Sequence, residues 1–280
     1  MNGIPAESPA GRYRAAVRTR GFTLVEMLVA LAVIGLLLSI ALPALASTRA
    51  KVHLVGCTAA QRKLAVGVFN HTTERKGKFP GPHTEPGPRF RGNPWVLAFD
   101  PPGQPLARRL DAQGRETAAA LEAGSLWPFV GDAAAYRSPR DPTDRLRSYS
   151  LSVFLAGSPE VGDHPDLRFG ALASRIDSVR DPSGTLAVVA EEDPDHPRNR
   201  NAFTLDLRGS RWIDLLPDWG PGRHFTAAML DGSTLSRRLG HPRLRQAILA
   251  NGPIPPAGRP VDEATRGDFE VLRGLLRIDR

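Results

Sequence analysis

The chain has 280 residues, which is enough for one domain with a membrane anchor or for two small domains. Its 27 glycines and 26 prolines approach a fifth of the chain, a composition that favours many turns and argues against a helical bundle. The formal net charge is +8, but residues 1–21 hold +3 of it and the remaining arginines are dispersed without interleaved aromatic residues. This pattern does not favour nucleic-acid binding. The single cysteine, Cys57, excludes an intramolecular disulfide.

An apolar segment near the N-terminus is the first predicted element. Residues 27–46 run for twenty positions without a charge, and as a helix they would span roughly 30 Å, the thickness of the hydrocarbon core of a bilayer. The core helix of a soluble protein is rarely so long and so apolar on every side. The segment therefore predicts a membrane-spanning helix, in which Pro43 marks either a bend or the helix end.

A secretory signal peptide is the alternative interpretation of this segment. Its cleavage site would follow the apolar run, near the small residues Ala44 and Ala46. Two features argue against it, since the run is longer than a typical signal core and Glu26 stands inside the apolar segment that starts at Phe22. A carboxylate at the bilayer centre costs about 2.5–3.5 kcal/mol on insertion scales, so Glu26 is expected to have a partner.

Residues 20–28, with the sequence RGFTLVEML, closely resemble the signature of type IV prepilins. The resemblance implies that a membrane-embedded prepilin peptidase cuts between Gly21 and Phe22 and methylates the new N-terminus at Phe22. After the cut, the amine of Phe22 is a cation and Glu26 is an anion four residues later, one helical turn away. Glu26 can then neutralise that amine in its own helix or in a neighbouring subunit, which offsets part of the cost of burying either charge.

Residues 47–72 are predicted to continue the helix beyond the membrane. One stripe at helical spacing is apolar apart from Gln61, and we expect it to pack on a globular domain. The stripe consists of Leu54, Cys57, Leu64, Ala65 and Val68. Cys57 is thus predicted to be a small core residue.

The same helix and a later segment resemble a large group of bacterial prepilin-like proteins. Members of this group carry a Cys in the helix, followed by a stretch close to the GKFP of residues 77–80. Residues 124–149 resemble a recurring segment of the group, but Ser138 stands where those relatives usually carry Cys. The disulfide that the family implies is therefore not expected in this chain.

Four strands are predicted in the remaining chain, at residues 147–155, 185–191, 202–207 and 226–230. Asp231 and Gly232 predict a two-residue hairpin turn with positive φ at both positions. The region from Trp212 onward also resembles the C-terminal signature of the group, in which a histidine precedes an apolar strand and an Asp-Gly pair. His224, Asp231 and Gly232 match that signature, with six residues between His224 and Asp231.

The chain after the helix contains candidate catalytic and metal-binding residues. Ser150 or Ser152 could in principle act with His224 and Asp231, but the sequence has neither a nucleophile elbow nor an oxyanion-loop motif. We therefore predict no catalytic residues and no enzymatic activity. Carboxylates suit calcium, and the candidates are Glu191, Asp193 and Asp195 in an acidic turn. Their spacing does not fit an EF-hand loop, so no metal or other cofactor is predicted, with calcium kept as an alternative.

The sequence thus predicts an α+β, pilin-like fold, with a long N-terminal membrane helix packed on a small antiparallel sheet. The predicted parts are a basic leader (1–21), a membrane and assembly helix (22–47), its extension (48–72), a periplasmic domain (73–250) and a tail (251–280). Within the tail, Phe269, Leu272, Leu275 and Leu276 predict a short amphipathic helix without an assigned role.

The expected function is structural. The resemblance implies a subunit of a type IV pilus or a type II secretion pseudopilus, a single-pass protein of the inner membrane. Its partners would be the prepilin peptidase and other pilin-like subunits, and not nucleic acid. The alternative is a periplasmic enzyme or binding module that uses a prepilin-type anchor.

Overall fold

A computed structural model describes residues 22–84, 92–98, 111, 115–155, 172–191, 202–217, 224–255 and 258–276. The helices are α1 (Leu24–Glu74), α2 (Ala118–Glu122), α3 (Trp127–Val130), α4 (Leu244–Leu249) and α5 (Glu263–Leu276). The strands are β1 (Tyr149–Leu151), β2 (Leu186–Ala190), β3 (Leu205–Asp206), β4 (Arg211–Trp212), β5 (His224–Met229), β6 (Thr234–Arg238) and β7 (Arg259–Pro260).

Helix α1 is one element of 51 residues, and its sequence serves two different surroundings. The contacts within the chain divide it into a first unit that ends at Thr48 and a second unit, Arg49–Arg280. In the first unit the apolar side chains are exposed, as the sequence predicts for a membrane segment. Pro43 lies inside the helix, so it does not mark the helix end.

The second unit is built around a four-stranded antiparallel sheet in the order β1-β2-β5-β6. All five residues of β2 are buried, because its apolar side chains are covered on both faces of the sheet. By contrast, β6 is an edge strand in which four of the five residues are exposed. The long helix and this small antiparallel sheet confirm the predicted α+β, pilin-like fold.

The part of α1 that follows Thr48 packs on this sheet through the predicted stripe. Cys57, Leu64, Ala65 and Val68 are buried, and so is Gln61, the polar residue that interrupts the stripe. Gln61 is tolerated there because its Nε2 donates a hydrogen bond of 2.8 Å to the backbone oxygen of Thr226 in β5. This bond ties helix to sheet at a position where an apolar side chain would make only packing contacts.

A second, three-stranded sheet has the order β3-β4-β7 and is covered by α5. The rings of Trp212 in β4 and Phe269 in α5 meet edge to face with centroids 5.2 Å apart. The Trp212 Nε1 also donates to the Thr265 hydroxyl at 3.3 Å. Phe269, Leu272 and Leu276 are buried in the core, so residues of the predicted tail contribute both β7 and α5 to this unit.

A buried charge pair supports the segment around Trp95. The Arg147 guanidinium donates two hydrogen bonds to the Glu116 carboxylate, at 2.6 and 2.8 Å, and lies 5.5 Å from the Trp95 ring centroid. Trp95 also stacks on Tyr136, with ring centroids 5.6 Å apart. Removing one partner of such a pair leaves a buried charge uncompensated, so the bidentate contact holds this part of the chain in one arrangement.

The turn between β5 and β6 differs from the sequence prediction. Met229 donates to the Ser233 carbonyl at 2.8 Å and accepts from Gly232 at 3.0 Å, which leaves Leu230, Asp231 and Gly232 as a three-residue loop. Gly232 has φ of +83°, whereas Asp231 has no positive φ. The prediction of positive φ at both positions was therefore wrong. The Asp231 carboxylate instead accepts from the Ser233 N–H at 2.8 Å, so it caps the turn from outside the left-handed region.

We expect Gly232→Val to lower the free energy of unfolding by about 2 kcal/mol, because a β-branched residue resists the left-handed region. Gly232→Asn should cost less, since Asn tolerates that region. His224→Ala is the control, because the His224 ring makes one long contact of 3.4 Å, to the Ser236 hydroxyl. Urea unfolding of the full chain in detergent measures all three, and a wild-type midpoint for Gly232→Val would contradict the turn assignment.

Candidate functional site

The N-terminus of α1 carries a reciprocal pair of hydrogen bonds between Thr23 and Glu26. One carboxylate oxygen of Glu26 accepts from both the N–H and the hydroxyl of Thr23, each at 2.8 Å. In return, the Thr23 hydroxyl accepts from the Glu26 N–H at 3.2 Å. The two residues therefore form a capping box, which satisfies backbone donors that the first turn of a helix leaves without partners.

This geometry gives Glu26 a role that the sequence analysis missed. Thr-x-x-Glu directly before an apolar run is the capping-box signature, and it was readable at Thr23 and Glu26. The box holds the carboxylate beside the backbone that follows Phe22, the residue whose amine would be freed by the predicted cut. Gly21 lies outside the described residues, so the cleavage site remains a prediction, as do methylation of Phe22 and the pairing of its amine with Glu26.

Exposed apolar side chains are concentrated on α1. Among the described residues, every large hydrophobic side chain that is exposed lies between Phe22 and Phe69. Beyond the first unit the exposed ones are Val52, Val55, Val66 and Phe69. Their spacings of three and eleven residues are close to whole turns, so they share one side of α1, which we call the outer apolar face. It lies away from the buried stripe that packs on the sheet.

The three residues of the predicted C-terminal signature lie at two ends of one hairpin. His224 begins β5, where it pairs with Arg238, and Asp231 and Gly232 form the turn at the other end. The serines proposed as nucleophile candidates are engaged elsewhere, because the Ser150 hydroxyl donates to Glu191 and the Ser152 hydroxyl accepts from the Phe154 N–H. The described hydrogen bonds thus do not join Ser150 or Ser152 to His224 and Asp231 as a catalytic group.

Cys57 and Ser138 are brought together in the core. The Cys57 sulfur lies 3.1 Å from the Ser138 hydroxyl oxygen, and both residues are buried. Burial agrees with the prediction that Cys57 is a core residue. A Cys in place of Ser138 would therefore face Cys57.

Of the calcium candidates, Glu191 is buried, while Asp193 and Asp195 lie outside the described residues. The described residues contain no group of three or more metal-ligating side chains, and calcium binding stays untested. The negative charge of Glu191 instead acts on a second buried carboxylate, that of Asp214. These positions are distant in the sequence, which is why the pair was not predicted.

The Asp214 carboxylate is fully buried and accepts a hydrogen bond of 2.6 Å from the Thr204 N–H. Burial, and then the negative charge of Glu191, raise the pKa of Asp214 well above its ordinary value. A raised folded-state pKa means that the protonated form is favoured by folding. The resulting stability is complete below the unfolded pKa and is lost as the pH rises through the folded pKa.

Asp214→Asn should therefore stabilise the chain at alkaline pH, by at least about 1 kcal/mol, while changing little at acidic pH. The Asn oxygen can still accept from Thr204 without a buried charge. Asp206→Asn is a control at a second buried aspartate, whose carboxylate accepts from Gly209 at 2.7 Å. Urea unfolding at about pH 3.5, below the unfolded pKa of an aspartate, and at about pH 8 would contradict this account if Asp214→Asn kept the wild-type pH dependence.

Ser138→Cys should form a disulfide with Cys57 on oxidation. The closed loop spans 81 positions, for which chain entropy predicts about 4.5 kcal/mol of stabilisation, and engineered bridges usually deliver less. We expect a higher melting temperature that reductant reverses, with a mass loss of two hydrogens. Ser174→Cys, at an exposed position, should form no internal bridge. Free thiols in oxidised Ser138→Cys would show that the two side chains are not held in contact.

Comparison with known proteins bears on the N-terminus alone. Residues 17–42 match the family model described as the prokaryotic N-terminal methylation motif, a range that includes Gly21, Phe22 and Glu26. No curated protein and no solved structure matches the chain. By length and composition, α1 qualifies as a membrane-crossing helix. The motif and this helix together support a type IV pilin-like protein that is anchored in a membrane by its N-terminal helix.

Proposed function

We propose that this chain is a structural subunit of a type IV pilus or a type II secretion pseudopilus. A prepilin peptidase would remove residues 1–21 and methylate Phe22, and the mature subunit would wait in the inner membrane with its globular domain in the periplasm. It would then join a filament of pilin-like subunits through α1. A methylation motif of this kind is typical of structural subunits rather than enzymes.

The outer apolar face is the observation that carries the proposal. A membrane accounts for exposed apolar residues up to Ala46, but not for those that follow. Val52 and Val55 are 63% and 66% exposed, and Val66 and Phe69 are 42% and 49% exposed. Full burial of such a side chain contributes about 1.5–3 kcal/mol, so a partner that covers this face would gain several kcal/mol. A neighbouring α1 is the partner that presents a matching apolar face along the same length.

Glu26 would contribute charge compensation to that assembly. When apolar helices pack side by side, each new Phe22 amine enters a medium in which an isolated cation is costly. A carboxylate from Glu26 of an adjacent subunit would neutralise it. Removing one partner of such a pair leaves the other uncompensated, at a cost of about 3–5 kcal/mol.

Two substitutions at Glu26 can separate the effect of its negative charge on assembly from the effect of its role in the capping box. Glu26→Gln keeps a side chain that can complete the capping box but removes the charge. We expect Glu26→Gln and Glu26→Ala to insert and be processed normally, and both to assemble poorly. The measurement is the yield of chain-to-chain crosslinks from a photoreactive residue in place of Val55, in cells with the assembly machinery.

Thr23→Ala is the matched control, because it removes the cap, at a cost of about 1 kcal/mol, and leaves the carboxylate. It should assemble better than Glu26→Gln. If Glu26→Gln crosslinked as well as the wild type while Thr23→Ala failed, Glu26 would act as a helix cap and not as a counter-ion. Absence of crosslinks from the wild type would contradict assembly itself.

A further inference from the structure

The hairpin strand β6 and the chain after it form a strongly basic region. Residues 232–261 contain five arginines and no aspartate or glutamate. Arg237 and Arg238 close the exposed edge strand of the four-stranded sheet, and both side chains are exposed. Within the described residues, neither arginine forms an ion pair. The proposed assembly through α1 does not use these charges.

Contacts along α1 show which end of the second unit carries Arg237 and Arg238. At Gly56, an added Cβ would lie 3.1 Å from Pro139, and the next residue, Arg140, donates to the His224 carbonyl at 2.8 Å. His224 is the pairing partner of Arg238. The start of β5 and the end of β6 therefore lie near Gly56 of α1.

Two further contacts give the direction of the hairpin. Gln61 bonds to Thr226, and Val66 approaches the turn at Gly232, where an added Cβ would lie 3.6 Å away. From Gly56 toward the C-terminus of α1, successive helix residues therefore lie beside β5 from its first residue to the turn. The opposite end, with Arg237 and Arg238, lies toward the point where α1 enters this unit at Arg49.

That end of the helix is basic as well. Arg49 and Lys51 are exposed, and residues 49–73 of α1 contain no acidic side chain. In the part of the chain that the structure describes, neither residue has an ion-pair partner. We call Arg49, Lys51, Arg237 and Arg238 the anchor-end cations. Arg49 and Lys51 follow the apolar run by three and five residues, so both lie close to the surface of a membrane that the run spans.

We propose that the anchor-end cations bind the anionic headgroups of phospholipids in the membrane that holds the anchor. The inference rests on membrane anchoring and not on filament assembly. A cation near an anionic bilayer surface strengthens association about fivefold, and the effect decays within a Debye length. Binding would hold the edge strand β6 at the membrane surface while the subunit waits there. Extraction of the subunit into a filament would break these contacts.

The test uses the full chain at one copy per nanodisc, which removes contacts between subunits. Amide hydrogen exchange of residues 234–240 is compared in discs of phosphatidylcholine and in discs that also contain phosphatidylglycerol. We expect slower exchange with phosphatidylglycerol, and high salt should abolish the difference. The double variant Arg237→Gln with Arg238→Gln should weaken docking about 25-fold and remove most of this protection.

The matched control is Arg208→Gln with Arg266→Gln, which removes the same charge from two exposed positions outside the anchor-end cations. It should keep the protection seen with phosphatidylglycerol. Equal exchange in the two kinds of disc, or protection that survives loss of Arg237 and Arg238, would overturn the proposal. Equal protection by soluble glycerol phosphate in phosphatidylcholine discs would also overturn it, because the ligand would then be a free anion. Filament crosslinking could fail without affecting any of these results.

Discussion

The rest of the structure depends on the backbone hydrogen bonding of α1, which runs from Leu24 to Glu74 and lacks only the donor that is missing at Pro43. A hydrocarbon medium cannot satisfy free N–H and C=O groups, so the apolar half of α1 has to be helical. The same helix then continues past Thr48, where the surroundings change from lipid to a packed domain. The capping box of Thr23 and Glu26 satisfies donors at the start of the helix, where no preceding turn exists. One helix thereby links an anchor to a sheet.

Beyond the anchor, α1 presents different chemistry on its two sides. The buried stripe holds the sheet through packing and through the bond from Gln61 to Thr226, while the outer apolar face is exposed. The sheet adds a third surface, because β6 is an exposed edge that ends in two arginines. All three features, the bond from Gln61, the outer apolar face and the edge strand β6, belong to the second unit.

Much of this arrangement could be predicted because its signals are local. Uniform apolarity identified the anchor, helical spacing identified the stripe of Leu64 and Val68, and short segments with β-branched or aromatic residues identified β1, β2 and β5. The two-residue strands β4 and β7 were missed, since so short a strand has no periodicity to detect. The turn at Asp231 and Gly232 was located correctly but its conformation was not, because strand register, and not the Asp-Gly pair alone, sets the loop length.

In the candidate site, too, local signals could be read from the sequence, whereas contacts made by the tertiary fold could not. Glu26 was found from a local motif, and its capping role was readable from Thr23 three residues earlier. The neighbourhood of Glu191 and Asp214 was not, because only the tertiary fold brings these carboxylates near each other. The contact between Cys57 and Ser138 likewise depends on the fold, because 81 positions of the chain separate the two residues.

The mass of the mature N-terminus tests the central claim most directly. The full chain is produced together with a prepilin peptidase, purified from membranes and measured intact and after fragmentation. We expect a chain that begins at Phe22 and carries one added methyl group on its amine, with residues 27–46 retained. A chain that begins near Ala46, having lost the apolar segment, would identify a secretory signal peptide and contradict the account.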